Sequence, residues 1–390
     1  MGKTIRKNGL ILSLLLLTVA AVAQVPADYK TRYVGLIGKQ GATLFSALES
    51  ISAYGYTSHS YGDLWTYFRT TDLDANGKIW DIYSTCTFVP GSDQCGSYSS
   101  VCSCYNREHS VPKSWFGGST SNPPGNDLFH LYPTDGKVNG QRSDNPYGEC
   151  AGGGKAGDKA LGKLGSSTFA GYTGVGTVFE PVDQYKGDLA RSYFGMIVRY
   201  GTSYDFTTAE GATMFSNTGK NISAQNHFGL TDYSVALLMK WTRQDTLSAK
   251  EINRNNGIQQ TQGNRNPFID CPVLAEYLWG NKVDQPVTRA DLEACGCIDI
   301  DTTYSALEEV LGSPADRVSV LASVSLTPTQ GGFTLTCLPT GVQLLLFDAR
   351  GALLLQERTS QPELTLQQAP GFYMLLLAVP GETRSIKVQL

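Results

Sequence analysis

Hydrophobic residues recur at helical spacing along the first part of the chain and at strand spacing after about residue 317. Leu44, Phe45, Leu48 and Ile51 would lie on one face of a helix. Helical patterns occur at 44–51, 64–68, 189–198, 232–242, 248–262 and 268–279, the last expected to end at Gly280. Residues 78–84 alternate like a strand after a turn. The pattern therefore predicts helices interrupted by loops, the longest loop running from 86 to 180.

The C-terminal segment from Arg317 onward has no helical period and is built from seven short apolar runs. They are VSVLASVSL, GGFTLTCL, VQLLLF, ALLLQE, ELTLQQ, FYMLLLAV and SIKVQL. The stretch LLLFDARGALLL predicts a hairpin that bends at Asp348 to Gly351. Such short strands are typical of a small antiparallel β-sandwich. The predicted class is thus α+β, with a main domain at 24–284, a linker at 285–316 and a sandwich at 317–390.

Residues 1–23 have the features of a secretory signal peptide. Lys3, Arg6 and Lys7 precede an apolar run of 14 residues, and Ala21-Val22-Ala23 matches a cleavage site before Gln24. A membrane anchor is the alternative, but this run is too short to span a ~30 Å hydrocarbon core. We therefore expect export without stable membrane insertion. Cleavage would leave 28 basic and 35 acidic residues, a net charge of −7.

The nine cysteines all follow the predicted cleavage site. In an oxidising compartment most of them should pair. The alternative is a zinc site formed by Cys86, Cys95, Cys102 and Cys104, which the lack of a C-x-x-C pair argues against. At least two disulfides are predicted within the set Cys86, Cys95, Cys102, Cys104, Cys150 and Cys271. Because nine is odd, at least one thiol must remain, and Cys337, alone in the last segment, is the predicted one.

The residues that could carry chemistry are concentrated between Tyr105 and Gly148. This segment contains His109 and His130, half of the four histidines, together with carboxylates, amides and basic side chains. Metal-assisted hydrolysis of a phosphodiester needs these types of group. A neutral imidazole accepts a proton from water, hard oxygen ligands hold a divalent cation, and cationic groups bind phosphate.

Two motifs in this segment resemble the signature of the endonuclease I family of secreted nucleases. They are YNREHSVPKSW at 105–115 and DLFHLYPTDGKVNGQRS at 127–143, and QGNRNPFID at 262–270 resembles a third motif of that family. The family belongs to the His-Me finger (ββα-metal) nucleases. The resemblance therefore implies a β-hairpin that carries a catalytic histidine, followed by a helix that supplies an asparagine to a metal.

The resemblance implies a role for each matching residue. His109 would be the general base, Asn139 a metal ligand, and Glu108 a second ligand, direct or through water. The cation would be Mg²⁺, with Mn²⁺ or Ca²⁺ as alternatives. Neighbouring strand residues face opposite sides, so Glu108 and His109 can serve one site only at a strand end or bend. The alternatives are a surface charge for Glu108, a packed histidine for His109 and a turn residue for Asn139.

The residue that binds phosphate is less clearly marked. Some relatives have an arginine for this purpose in the loop after the finger histidine, but residues 110–126 contain none. Lys113, Arg142 and Arg265 are therefore the candidates, and a structural ion pair is the alternative for each.

Several other positions receive supporting roles or depart from the family pattern. Asp127 and His130 are predicted to orient the finger by hydrogen bonds. Phe129-His130 stands where the family has His-Asn, and Cys271 stands where a histidine is more common, so Cys271 is predicted to be half of a disulfide. His59 and His227 are interpreted as packed or exposed histidines without a catalytic role.

The C-terminal segment has its own resemblance. LLLFDARGALLL, PGFYML at 370–375 and the final IKV resemble the C-terminal sorting domains of the Bacteroidetes type IX secretion system. The resemblance implies the secretion machinery as a partner, and an accessory sandwich is the alternative.

The sequence as a whole predicts a secreted, Mg²⁺-dependent, sugar-non-specific endonuclease. We expect a monomer that is extracellular or on the cell surface, binds DNA and also RNA through phosphates, and leaves 5′-phosphate ends. One alternative is a secreted ribonuclease on the same scaffold. The other is a surface adhesin module without catalytic activity.

Overall fold

The computed structural model describes residues 25–300 except 122, 175 and 208, and residues 321–389 except 322, 350–352, 380 and 381. The predicted signal peptide and the predicted linker residues 301–316 lie outside this part of the chain. Two compact units divide at residue 299. Among the described residues, no helix is both long enough and apolar enough to cross a membrane.

The first unit is mainly helical. Its helices are α1 Ala27–Val34, α2 Gly41–Ala53, α3 Leu64–Thr71, α4 Gly136–Arg142, α5 Lys186–Tyr200, α6 Asp232–Gln244, α7 Ala249–Gln262, α8 Pro267–Asp270, α9 Leu274–Trp279 and α10 Arg289–Ala294. Its strands form two antiparallel pairs, β1 Tyr105–His109 with β2 Leu131–Asp135, and β3 Lys163–Ser166 with β4 Thr177–Glu180. This content confirms the α+β class.

Helix α5 is the centre of the first unit. Nearly all of its side chains are buried, and it packs against α2 and α6. The longer helices form where the sequence predicts them because apolar residues recur at helical spacing, and α6 and α7 also have a side-chain cap. Ser248 accepts the backbone N–H of Glu251 at the start of α7, and Gly263 ends that helix with φ of 92°.

Three predictions about elements are wrong. Residues 78–84 form isolated bridges rather than a strand, because the Asp81 carboxylate accepts the Tyr83 N–H and the Ser84 hydroxyl and bends the chain locally. The helix predicted over 268–279 is divided into α8 and α9, since Pro272 lacks an N–H to continue it. Residues 285–299 contain α10 and belong to the first unit instead of a linker.

Disulfides hold the loop-rich region, as predicted. Cys86 pairs with Cys102 and Cys95 with Cys104, and the third described bridge joins Cys271 to Cys295. The prediction that Cys271 is a disulfide half is confirmed. Cys150, Cys297 and Cys337 are free, and of these three Cys337 is exposed.

The second unit consists of two antiparallel sheets around one apolar core. The strands are β5 Ser325–Thr329, β6 Gly332–Thr336, β7 Val342–Asp348, β8 Leu353–Thr359, β9 Glu363–Gln367, β10 Phe372–Val379 and β11 Glu382–Gln389. One sheet has the order β5-β6-β9 and the other β11-β10-β7-β8. Phe333 and Leu335 from the first sheet and Leu344 and Leu375 from the second share the core. The predicted strand pattern is confirmed over the described residues. Part of the first predicted run, at 318–320 and 322, and part of the predicted bend, at 350–351, lie outside them, and β5 begins at Ser325.

Candidate active site in the hairpin and helix of residues 105–142

The two motif segments fold into one hairpin followed directly by one helix. Strands β1 and β2 pair so that His109 lies opposite Leu131 and Tyr105 opposite Asp135. Asp135 ends β2 and caps α4, because its Oδ1 accepts the N–H groups of Lys137 (2.9 Å) and Val138 (3.0 Å). Its Oδ2 accepts the N–H of Cys102. A single buried carboxylate therefore fixes the helix to the hairpin and to a disulfide-bonded loop.

The two faces of β1 contact different parts of the molecule. Arg107 and His109 share the face that meets α3 and the aromatic residue before it. The ring of Tyr61 stacks on His109 with centroids 5.7 Å apart, and Arg107 lies over Tyr61 and Trp65. Glu108 has the opposite orientation and contacts α4. Glu108 and His109 therefore face opposite sides of β1, as expected for neighbours on a strand, and His109 is the last residue of that strand.

The position of His109 determines which ring nitrogen can accept a proton. Its Nε2 lies 2.9 Å from the carbonyl oxygen of Gly125. A carbonyl only accepts hydrogen bonds, so Nε2 carries the hydrogen and Nδ1 keeps its lone pair. Nδ1 has no hydrogen-bond partner among the described residues. Burial lowers the pKa of His109 well below its usual value, and neighbouring His130 and Lys113 act in the same direction. The imidazole is therefore neutral at pH 7.

His130 supports His109 from the turn that directly precedes β2. Its ring centroid lies 5.4 Å from that of His109, and its Nε2 lies 2.8 Å from the carbonyl oxygen of Pro124. Burial lowers the pKa of His130 to about 4. The carbonyls of two consecutive residues, Pro124 and Gly125, thus hold the two histidines. His130 is fully buried, which fits the predicted orienting role.

Asp127 and the third motif brace this loop. Asp127 accepts hydrogen bonds from the Tyr200 hydroxyl (2.6 Å), from the N–H of Phe129 (2.8 Å) and from Gln262 Nε2 (3.0 Å). Gln262 also accepts the N–H of Leu128. The geometry again fits an orienting role, because every partner of Asp127 belongs to the scaffold.

Glu108 is held in place by a buried network. Its Oε1 accepts the Tyr83 hydroxyl (2.8 Å) and Nη1 of Arg142 (2.8 Å). Arg142 also donates to the carbonyl oxygens of His109 (2.7 Å) and Ser110 (2.6 Å), and it lies over the ring of Tyr147. Burial raises the pKa of Glu108 to about 7, while Arg142 opposes that rise.

Glu108 and Asn139 have oxygen atoms that fit a divalent cation. Asn139 lies three residues before Arg142 on α4, a spacing that makes the two side chains neighbours on the helix surface, and Arg142 contacts Glu108. The Asn139 amide is half-buried, and neither it nor Glu108 Oε2 hydrogen-bonds to a described residue. One free carboxylate oxygen and one amide oxygen suit a cation such as Mg²⁺, which keeps most of its waters.

A second group of potential ligand atoms does not fit a metal. The sulfurs of Cys86 and Cys102 and the carboxylate of Asp135 lie within 4.8 Å of one another. The two sulfurs are joined in a disulfide, so neither can become a thiolate ligand. The carboxylate is already used by the helix cap and the Cys102 N–H.

The three candidates for phosphate binding have different environments. Arg265 is buried and donates to Asp270, with further bonds to Asn256 and Gln259. Arg142 is fully buried against Glu108. Both arginines are therefore engaged in ion pairs, the structural alternative considered for each. Lys113 is exposed at the start of a short 3₁₀ helix.

The remaining histidines have the ordinary environments that were predicted. His59 is packed, with Nε2 2.9 Å from Gln262 Oε1. His227 is half exposed beside Asp232.

Sequence reasoning missed the surroundings of the two central side chains. Tyr61, which stacks on His109, lies 48 positions earlier in the chain, and no local pattern marks it. Tyr83, which donates to Glu108, lies 25 positions before it. Arg107 could have been singled out, because strand alternation alone places it on the face of His109.

Comparison with known proteins finds a family and relatives that match the first unit. The family model "Endonuclease I" matches residues 40–273. The chain is 34% identical over 264 residues to an extracellular ribonuclease of Bacillus amyloliquefaciens, covering 67% of this chain and 82% of that protein. It is 34% identical over 265 residues to an extracellular ribonuclease of Bacillus subtilis (strain 168), covering 68% and 83%.

A solved structure from work on PorZ, a surface component of the type IX secretion system of Porphyromonas gingivalis, matches a smaller part. The match is 21% identical with a TM-score of 0.18, and it covers 19% of this chain and 12% of that one. A likeness this slight carries no argument about the second unit. The family match covers more than half of the chain, and both ribonucleases align over most of their length, so this chain belongs to the endonuclease I family.

Proposed function

We propose that this protein is a secreted, divalent-metal-dependent endonuclease that hydrolyses phosphodiester bonds at a His-Me finger. The observation that carries the proposal is the state of His109. It is a buried, neutral imidazole at the end of a strand, with Nε2 committed to Gly125 and Nδ1 without a partner. An imidazole in this state is suited to accept a proton from water. The carboxylate and amide that a metal would require lie on the adjoining residue and helix.

The proposed mechanism assigns a separate task to each part of the finger. Nδ1 of His109 accepts a proton from the water that attacks phosphorus. The bond to the 3′-oxygen breaks and that oxygen takes a proton from solvent, which leaves a 5′-phosphate end and a 3′-hydroxyl end. The Gly125 carbonyl keeps the ring oriented, and Arg142 with Tyr83 keeps Glu108 in place. A Mg²⁺ ion, with Mn²⁺ or Ca²⁺ as alternatives, would be held by Glu108 and Asn139 and would supply positive charge against the charge that accumulates on the phosphate.

We propose both DNA and RNA as substrates. Hydrolysis by water, rather than by the 2′-hydroxyl, requires no ribose. RNA alone is the second candidate substrate, and one observation favours it: both bacterial relatives at 34% identity are named extracellular ribonucleases.

We also propose export from the cell. The support comes from the signal-peptide features of residues 1–23 and from the names of the two extracellular relatives. The second unit would engage the type IX secretion machinery, a proposal that rests on the C-terminal sequence resemblance alone. We propose that the enzyme acts as a monomer.

Two variants within the finger test the mechanism. His109→Ala removes the base and leaves Glu108 and Asn139, so cleavage should fall roughly 10²–10⁴-fold at every Mg²⁺ concentration. Asn139→Ala should weaken metal binding, so part of its lost rate should return as Mg²⁺ is raised. Initial rates on plasmid DNA across a Mg²⁺ titration distinguish the variants. Rescue of His109→Ala by Mg²⁺, with Asn139→Ala inert throughout, would show that the roles are assigned wrongly.

A further inference from the structure

Arg107 lies beside the base and has no carboxylate partner. The single hydrogen bond of its side chain to a described residue runs from Nη1 to the carbonyl oxygen of Tyr61 (2.8 Å). Its Nε is buried without a partner, and no described carboxylate forms an ion pair with it. A half-buried guanidinium without a counter-charge is costly to maintain. This arrangement differs from that of Arg142 and Arg265, each of which is buried against a carboxylate.

The guanidinium is fixed in position by aromatic rings. It lies 3.7 Å from the centroid of Tyr61 and 4.3 Å from that of Trp65. Tyr61 also stacks on His109, so one ring supports both the base and the arginine. Cation–π contacts of this kind orient an arginine while leaving its N–H groups available. Arg107 is therefore held ready for a ligand that brings negative charge.

Arg107 lies where it could contact a nucleic-acid strand that is bound at His109. Two residues along a strand cover about 7 Å, and both side chains project from the same face of β1. A polynucleotide carries a negative charge at every phosphate. The planar fork of an arginine fits the paired oxygens of a phosphate better than a lysine does.

We propose that Arg107 binds the substrate strand through the non-bridging oxygens of a phosphodiester next to the one attacked at His109. This inference rests on the proposed nuclease function and adds a residue that neither the sequence motifs nor the comparisons assign. It also accounts for the lack of an arginine in the loop 110–126, because the strand supplies the guanidinium instead.

Salt dependence of binding gives the test, because a residue with a merely structural role would not change it. The full-length mature protein is titrated with a fluorescently labelled single-stranded oligonucleotide in EDTA, which prevents cleavage. Each phosphate contact adds about 0.7 to the slope of log affinity against log salt for a single strand. Arg107→Met and Arg107→Gln should both reduce the slope by about that amount and weaken binding roughly 10-fold at low salt.

The matched control is Arg243→Met. Arg243 is a partly exposed arginine whose charge is already paired with Glu276 through two hydrogen bonds. Its loss should leave the slope unchanged. In cleavage assays with Mg²⁺, the Arg107 variants should show a raised KM with kcat largely retained. Circular dichroism identifies any variant that does not fold. The Met and Gln side chains differ in polarity, so a shared effect reports the lost charge.

The results separate this inference from the proposed function. An unchanged slope in the folded Arg107 variants would overturn the inference, even if the wild-type protein cleaves nucleic acid. The Arg107 variants could reduce the slope while the wild-type protein cleaves neither DNA nor RNA. That result would support Arg107 as a phosphate contact and would overturn the nuclease proposal.

Discussion

Replacing Arg142 with leucine should lower the free energy of unfolding and should not act directly on the reaction. The Arg142 guanidinium is fully buried and joins three parts of the site, namely the carboxylate of Glu108 and the backbone carbonyls of His109 and Ser110. Leucine would leave the Glu108 carboxylate in the interior without its cation. The carbonyls would also lose their donors.

The expected magnitude follows from that burial. Removing one partner of a buried ion pair costs about 3–5 kcal/mol, because the remaining charge is not compensated. The pair between Arg243 and Glu276 is the matched control, since the side chain of Arg243 is 44% exposed. Arg243→Leu should therefore cost less than about 1 kcal/mol. The two variants remove the same group and differ in burial.

Urea unfolding followed by tryptophan fluorescence measures both free energies under the same conditions, in EDTA to exclude linkage to metal. Arg142→Leu should lose at least about 3 kcal/mol, and activity should fall in proportion to the unfolded fraction. If Arg142→Leu were as stable as the control but had a raised KM for nucleic acid, Arg142 would be a phosphate-binding residue and the structural account of it would be wrong.

Three further outcomes are expected. The folded-state pKa of His130 is about 4 and its unfolded value about 6.5, so the unfolded state binds more protons between them. Stability should fall by up to ~3 kcal/mol from pH 6.5 to 4, and His130→Gln should flatten that part of the urea-derived profile. Gly136→Ala would place Cβ 2.7 Å from the Tyr98 ring and should destabilise α4 by about 1–3 kcal/mol in the same assay. Iodoacetamide labelling of the native protein, read by mass spectrometry, should modify Cys337 first, and labelling of disulfide cysteines instead would contradict the assigned bridges.

The sequence predicts helices and strands correctly where local signals agree with tertiary packing. Helix α5 follows its apolar periodicity, α6 and α7 add a side-chain cap at Thr231 and Ser248, and the strands of the second unit are separated by turn residues. The pattern at 78–84 failed because alternation records only a preference. The Asp81 side chain bonds to the neighbouring backbone, and the segment forms only the isolated bridges of Ile79 with Leu73 and Ser84 with Ala160 among the described residues.

The site could be predicted in its residue types but not in its contacts. Motif spacing located His109, Glu108 and Asn139, which do lie on one hairpin and helix. The same spacing could not show that Arg142 forms a buried ion pair with Glu108, since burial depends on residues far away in the chain. For the same reason the lack of a counter-charge at Arg107 appears only once the fold is known.

Cleavage of matched DNA and RNA oligonucleotides tests the central claim most directly. Wild-type protein and His109→Ala, both verified as folded, are incubated with each substrate with Mg²⁺ and with EDTA, and the product ends are identified by mass spectrometry. The account predicts hydrolysis by wild-type protein with Mg²⁺ only, 5′-phosphate products, and at least a 100-fold slower rate for His109→Ala. Full cleavage by His109→Ala, or cleavage by wild-type protein that is unaffected by EDTA, would contradict it.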